Sequence, residues 1–487
     1  MIDTAPSSAP TGAINREPPP RLVFDLTTTA MWSGPPVGIV RVESEFGRWA
    51  LGHLGEAVPA FFDPETLAFR HLARETAVSL IAQDAAIDTL SFISPARRGK
   101  RKTDRIPKAL RPLALWILQA RRMALQALER IRLGTANDRT ASFVEALQRA
   151  IMNDKYRAIM VKPDGSRRAY LPVDLALGPP VDLTAADTLV CSGAGWTHND
   201  IAAIAELKQK VGFRFVLFCY DIIPLMFPHF YKPADVEAHR TYCHRAFPAA
   251  DLVVFSSRTI ETDVRAYCGA HGLALADTAV MALGAEIRTP TTSEPLPAGL
   301  ERDRYALLVS TIEPRKGHRL IYDAWVKLLA TGIPQRARFK LVFVGRVGWL
   351  IGDLMRDLRD DPRVAGTIEI FTDADDAKVA ALYHNAAFCL YPSRYEGYGL
   401  PAVEAFHHGK AILASTGGAV PEVVGDLSPC LDPEDGETWR RMLQAWIEDP
   451  AARAGYEARI RKSFRHPDWN ESARTFFALV RGAGTAR

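Results

Sequence analysis

Short apolar runs recur along the chain, and each is followed by a stretch in which apolar positions return every three to four residues. That alternation predicts buried parallel strands joined by amphipathic helices, an α/β class with helices on both faces of each sheet. Two such series are present. The first begins at 21–26, resumes at 188–192, 214–220 and 251–256, and ends on a short strand near 279–283. The second runs through 305–311, 339–345, 367–371, 387–391 and 411–414. Residues 1–20, rich in Pro, Ala and Ser, read as a disordered leader. Residues 21–290 read as a first Rossmann-like domain, 291–304 as a Pro-containing linker and hinge, 305–470 as a second Rossmann-like domain, and 471–487 as a terminal helix. Open parallel sheets bind ligands outside the carboxyl ends of their strands, so two facing domains would enclose one cleft.

Composition narrows the class without naming a chemistry. The 487 residues are 48% hydrophobic and 24% charged, as in an ordinary globular chain of two or three domains. The six cysteines are scattered through apolar runs without close pairs, which predicts reduced core residues. No secretory leader opens the sequence, and no run approaches about 20 apolar residues, so a cytoplasmic protein is expected.

A net charge of +4 is too small to imply nucleic-acid binding, but its distribution is uneven. Between Arg97 and Arg132 stand twelve Lys or Arg against Asp104 and Glu129, inside a helical insertion expected at about 94–135. Leu113, Trp116, Ile117, Met123, Leu125 and Leu128 supply it with apolar positions at helical spacing. Two readings stand: a solvated insertion packed on its own domain, or a basic helix on an anionic membrane surface. Aromatic residues do not interleave with the charges as a nucleic-acid platform requires.

The segment Tyr391-Pro392-Ser393-Arg394-Tyr395-Glu396-Gly397-Tyr398-Gly399-Leu400-Pro401-Ala402-Val403-Glu404 follows an apolar strand. Gly397 and Gly399 suit a tight strand-to-helix turn, and Pro401 suits the first turn of a helix. The N–H groups near Gly399, Leu400 and Ala402, with the positive end of a helix dipole, predict a diphosphate site. Glu404, expected in the first helical turn, and Glu396 on the loop are then acceptors for sugar hydroxyls. Asp373 and Asp375 imitate a metal-binding pair, yet they precede a helical run, and capping explains them better. The twelve His show no helical pairing that suggests a zinc site.

These segments resemble the retaining family-4 glycosyltransferases, mannosyltransferase-like subgroup, whose donor site carries two glutamates with seven residues between them, as Glu396 and Glu404 have here. Ser310-Thr311-Ile312-Glu313-Pro314-Arg315-Lys316-Gly317, Val344-Gly345-Arg346, Gly417 to Glu422 and Asp468-Trp469 are similar to other segments of that family. So are Val37-Gly38-Ile39-Val40-Arg41-Val42-Glu43 and Tyr220-Asp221-Ile222-Ile223-Pro224 in the first domain. The likeness covers about residues 21–480, and it implies a GT-B fold.

The resemblance also implies roles. Glu404 accepts from the ribose, Glu396 from the transferred sugar, and Lys316 neutralises the diphosphate. Arg315 and Arg346 are candidate further cations, Gly38 lets the first domain approach the phosphates, and Asp221 is the acceptor-side carboxylate unless it merely caps a helix. Where many relatives have Gly-Arg this chain has Ser310-Thr311, and Tyr220 stands where many have His. The implied reaction is metal-independent transfer of a hexose, with retention, from a nucleotide-diphosphate sugar to a glycan or lipid-linked oligosaccharide. GDP-mannose or another GDP-sugar is favoured, and a UDP-sugar comes next. A GT-B epimerase or phosphorylase, and a non-catalytic sugar- or membrane-binding scaffold, are the alternatives.

Overall fold

A computed structural model describes residues 20–32, 38–88, 111–135, 137–152, 160–161, 166–285 and 295–482. The expected leader, the basic stretch 97–110 and the first part of the expected linker lie outside them.

Each strand series closes into one sheet. The first contains β1 (Leu22–Asp25), β2 (Ala57–Asp63), β3 (Ala68–Leu72), β6 (Leu177–Pro180), β7 (Thr188–Cys191), β8 (Arg214–Cys219), β9 (Leu252–Phe255) and β10 (Asp277–Val280), in the order β10-β9-β8-β7-β1-β2-β3-β6. Strands β10 to β2 run parallel, and β3 and β6 close the edge antiparallel. The small pair β4 (Ala85–Ile87) and β5 (Ala169–Leu171) stands apart.

The second sheet contains β11 (Tyr305–Val309), β12 (Lys340–Val344), β13 (Ile368–Phe371), β14 (Phe388–Tyr391), β15 (Ile412–Ser415) and β16 (Cys430–Leu431), in the order β13-β12-β11-β14-β15-β16. Every pairing in it is parallel. Its central strands are apolar at successive positions because both faces are covered. Leu308, Phe343 and Leu390 point into one core, and Leu307, Val342 and Tyr391 into the other.

Three expectations need correction. The first sheet does not pause between β1 and β7, since β2 and β3 intervene; Pro59 inside β2 disguises a strand that would otherwise read as one. The residues expected as linker up to 304 are packed: Leu300 is buried, with Leu296 beside it, in the second domain's core. The last helix runs Trp469–Val480 and belongs to the first domain. Its Trp469, Phe476 and Phe477 complete the core against Phe24 and Phe46, and Phe476 stacks on Phe46 at 4.6 Å. Gly284 lies against the Trp469 backbone, where a Cβ would come within 2.6 Å of its Cα. The chain therefore crosses between domains twice, the second time between Phe464, packed on Phe406, and Trp469.

The insertion forms an antiparallel helical pair, Arg111–Gly134 and Asp138–Ile151. Leu125 and Glu129 are buried beside Tyr170, whereas Trp116 (65% exposed), Met123 (68%) and Phe143 (66%) face outward. No helix among the described residues is long and apolar enough to cross a membrane.

Candidate active site

The turn after β11 and the loop after β14 meet at the carboxyl ends of the second sheet. Gly317, at φ +75°, makes the meeting possible: a Cβ there would lie 2.2 Å from the Pro392 carbonyl oxygen. The contact brings Lys316 and Arg315 to Glu396. Lys316 Nζ lies 2.6 Å from Glu396 Oε1, and Arg315 NH1 lies 2.8 Å from Oε2. Arg315 also donates to the Tyr395 carbonyl at 2.6 Å and pairs with Glu313 at 2.9 Å. All three side chains are largely buried. Burial pushes the Glu396 carboxyl up, but Arg315 and Lys316 outweigh it and hold it down at about 2. Glu396 is thus an anion at any physiological pH, neutralised by cations from another loop.

Glu404 lies on the helix Leu400–His407, as its fifth residue and beyond the first turn, which corrects the expected placement. The helix dipole gives it no support there. Tyr383 Oη donates to its Oε2 at 3.1 Å, and Arg41 of the first domain approaches Oε1 at 3.7 Å. Burial raises the Glu404 carboxyl above the usual range, with Arg41 opposing. Gly399, at φ +122°, opens the helix, and Leu400 is its first residue. The Ala402 N–H donates back to the Gly399 carbonyl at 2.9 Å and so turns away from any anion.

Asp221 faces this loop from the first domain. A Cβ on Gly397 would lie 3.1 Å from Asp221 Cβ and 2.3 Å from the Tyr220 carbonyl oxygen. Asp221 Oδ1 accepts from the Ile223 N–H at 3.0 Å, so it does cap the turn that follows. Gly38 opens the helix Ile39–His53 at φ +51°, with open space where a Cβ would sit. Arg346 stands apart from the Glu396 cluster, its guanidinium 4.5 Å from the centre of the Trp32 ring in the first domain. Asp375 accepts from the Lys378 N–H at 2.8 Å and caps the helix Asp376–Asn385. Among the described residues no group of His, Cys, Asp or Glu is placed to hold a metal ion.

Several groups that join the domains were given no role; Arg41 and Glu422 stand within the quoted motifs, and Ser256 and Ser257 outside them. Arg41 donates to Asp376 at 2.9 Å as well as nearing Glu404. Glu422 accepts from the Arg258 and Thr259 N–H groups, at 2.9 and 3.1 Å, and so caps a first-domain helix from the second domain. Ser256 and Ser257 hydroxyls donate to the Gly397 carbonyl at 3.2 and 2.9 Å. The cleft is thus latched along its length. A polar residue at a helix start was the available signal for Arg41 and Ser257; their partners in the other domain left no trace in local sequence.

Residues 297–463 match the family described as glycosyl transferases group 1. Among relatives, the chain is 33% identical over 149 residues to O-antigen chain mannosyltransferase B of Escherichia coli, covering 31% of this chain and 38% of that one. It is 36% identical over 156 residues to the MMP alpha-(1->4)-mannosyltransferase of Mycolicibacterium hassiacum, covering 31% and 36%. The matched stretches therefore span only about a third of these relatives' lengths. Among solved structures, HepE of Anabaena in complex with UDP and glucose superposes with a TM-score of 0.51 at 13% identity, over 95% of this chain and 99% of that one. The chain therefore has a GT-B fold, and its second domain matches the family described as glycosyl transferases group 1.

Proposed function

We propose that the protein is a retaining hexosyltransferase that takes a sugar from a nucleotide-diphosphate donor, GDP-mannose or another GDP-sugar first and a UDP-sugar next. Its acceptor in this reading is a glycan or lipid-linked oligosaccharide. The observation that carries it is the buried Glu396 carboxylate held by Lys316 and Arg315 at the carboxyl ends of the second sheet, opposite Asp221. The mannosyltransferase relatives favour the donor class.

In this reading the diphosphate lies by the Gly399 and Leu400 backbone and turns Lys316 and Arg315 partly from Glu396 towards its own charge. Glu404 receives the ribose hydroxyls and Glu396 a hydroxyl of the sugar. The bond from the anomeric carbon to the phosphate oxygen breaks while a bond to the acceptor oxygen forms on the same face. The acceptor's proton passes to the leaving phosphate, and fixed cations stabilise the charge that develops there. Glu396 is no nucleophile, unlike the paired carboxylates of retaining hydrolases, and no metal is required. The exposed Trp116, Met123 and Phe143 suit peripheral attachment to the inner, anionic face of a membrane.

The test is nucleotide release from GDP-, UDP- and ADP-sugars without added metal, with Glu404→Ala alongside. Release from one donor that the variant loses supports the reading. Release that persists in Glu404→Ala, or an adduct trapped on Glu396, overturns the assigned roles. If no donor is cleaved and none raises the melting temperature, the scaffold alternative stands instead.

A further inference from the structure

Beneath the second sheet, at the end opposite the candidate donor site, lies a cavity of about 660 Å³. It sits before β11 and β15, where Arg302, Arg304 and Lys410 enter, and takes Arg453 and Arg461 from the helix Ala451–Ser463. Five cations thus line it against two carboxylates, Asp303 and Glu457, and His384 and His408 add two further nitrogen bases. Helix-end electrostatics accounts for part of the set, since His384 lies in the last turn of its helix and His408 and Lys410 follow the C-terminus of theirs, where positive charge is favoured. Arg453 lies in the first turn of its own helix, where the dipole disfavours a cation, but its NH1 donates at 3.0 Å to the Trp446 carbonyl in the last turn of the helix Gly436–Glu448.

The internal pairing leaves positive charge unspent. Lys410, 13% exposed, is 4.0 Å from Asp303, and Arg453 is 3.6 Å from Glu457, both beyond hydrogen-bond distance. Arg461 reaches the same Glu457 at 4.0 Å, so two arginines share one carboxylate. Burial lowers Lys410 against the opposing charges of Asp303 and Glu457, and burial, with smaller contributions from His384, His407 and Lys410, brings His408 down to about 4.

We propose that this cavity is a second anion site, separate from the donor cleft, that takes a phosphorylated small molecule carrying at least two negative charges. Its volume lies in the range that encloses such ligands. Buried Lys410 and Arg453 contact the phosphate oxygens, while Arg302 and Arg461, 64% and 62% exposed, collect the ligand at the rim. A free diphosphate and the phosphate headgroup of a lipid share this chemistry.

Calorimetric titration of the full chain with inorganic diphosphate, and separately with a short-chain monomeric phosphatidic acid, tests the site and separates its two sources. The Arg302→Glu/Arg461→Glu double variant changes only exposed side chains with loose partners, so it should fold; Lys410→Gln tests the interior independently. Comparison with the unaltered protein isolates this cavity from any diphosphate that enters the donor cleft. The expected result is a binding event at about 0.15 M salt that weakens at least tenfold in both variants and fades further as salt rises. A stronger event with the lipid assigns the headgroup; a stronger one with diphosphate assigns the soluble ligand. Equal binding by all three proteins, or no event beyond one that Lys316→Ala abolishes, overturns the proposal.

Discussion

Replacing Glu396 by Gln keeps the side chain's shape and removes the one charge that Lys316 and Arg315 share. In the unfolded chain this carboxyl has the ordinary value of 4.5, and in the folded chain it lies at about 2. A depressed carboxyl contributes stability that is fully present above 4.5 and is lost as pH falls towards 2; a shift of this size corresponds to roughly 3 kcal/mol at neutral pH. An independent route gives the same scale, since removing one partner of a buried ion pair costs about 3–5 kcal/mol. Glu396→Gln should therefore lower the urea midpoint at pH 7, followed by the buried Trp325, Trp439 and Trp446 of the second core. It should also flatten the loss of stability that the unaltered protein shows between pH 4.5 and 2. Donor turnover should fall on the order of a hundredfold. A variant within about 0.5 kcal/mol of the parent at pH 7 would show that the two cations do not depend on this carboxylate, and the account of the site would fail at its centre.

Three further outcomes are expected. Gly397→Ala forces a methyl to 2.3 Å from the Tyr220 carbonyl, about 1 Å inside normal contact, so the domains should part; a larger radius of gyration in small-angle scattering, with weaker donor binding, checks this. Burial, with the charge of Asp25, raises Glu43 to about 8, so the stability it contributes is full below 4.5 and is lost as pH rises through 8. Glu43→Gln should accordingly remove a fall in stability of up to about 1.4 kcal/mol per pH unit across that window, read from denaturation midpoints at several pH values. Phe476→Ala, which empties a stacked position between Phe46 and Phe218, should destabilise the first domain by about 3–5 kcal/mol in thermal or chemical unfolding.

What was legible in the sequence follows from how far each signal reaches. The strands of the second sheet are covered on both faces, so each announces itself as an unbroken apolar run, and the loops after β11 and β14 carry their charged residues in plain view. Strand β2 is equally buried, but Pro59 breaks the pattern that local reading relies on. The pairing of Glu396 with two residues eighty positions earlier was beyond any local rule, as was the reach of Arg41 to Glu404. The helix Trp469–Val480 was visible from its Asp468 cap and apolar stripe. Its destination was not, because an amphipathic face says that something covers it without saying which domain does.

That destination governs the order in which the molecule can be made. The first sheet emerges from the ribosome early, yet one of its faces waits for Trp469, Phe476 and Phe477 before it is covered. The second sheet, synthesised later, holds all its own core residues by about residue 460. The later domain can therefore finish first, and the earlier one must remain open, with apolar surface exposed to holdase chaperones, until translation has passed residue 480.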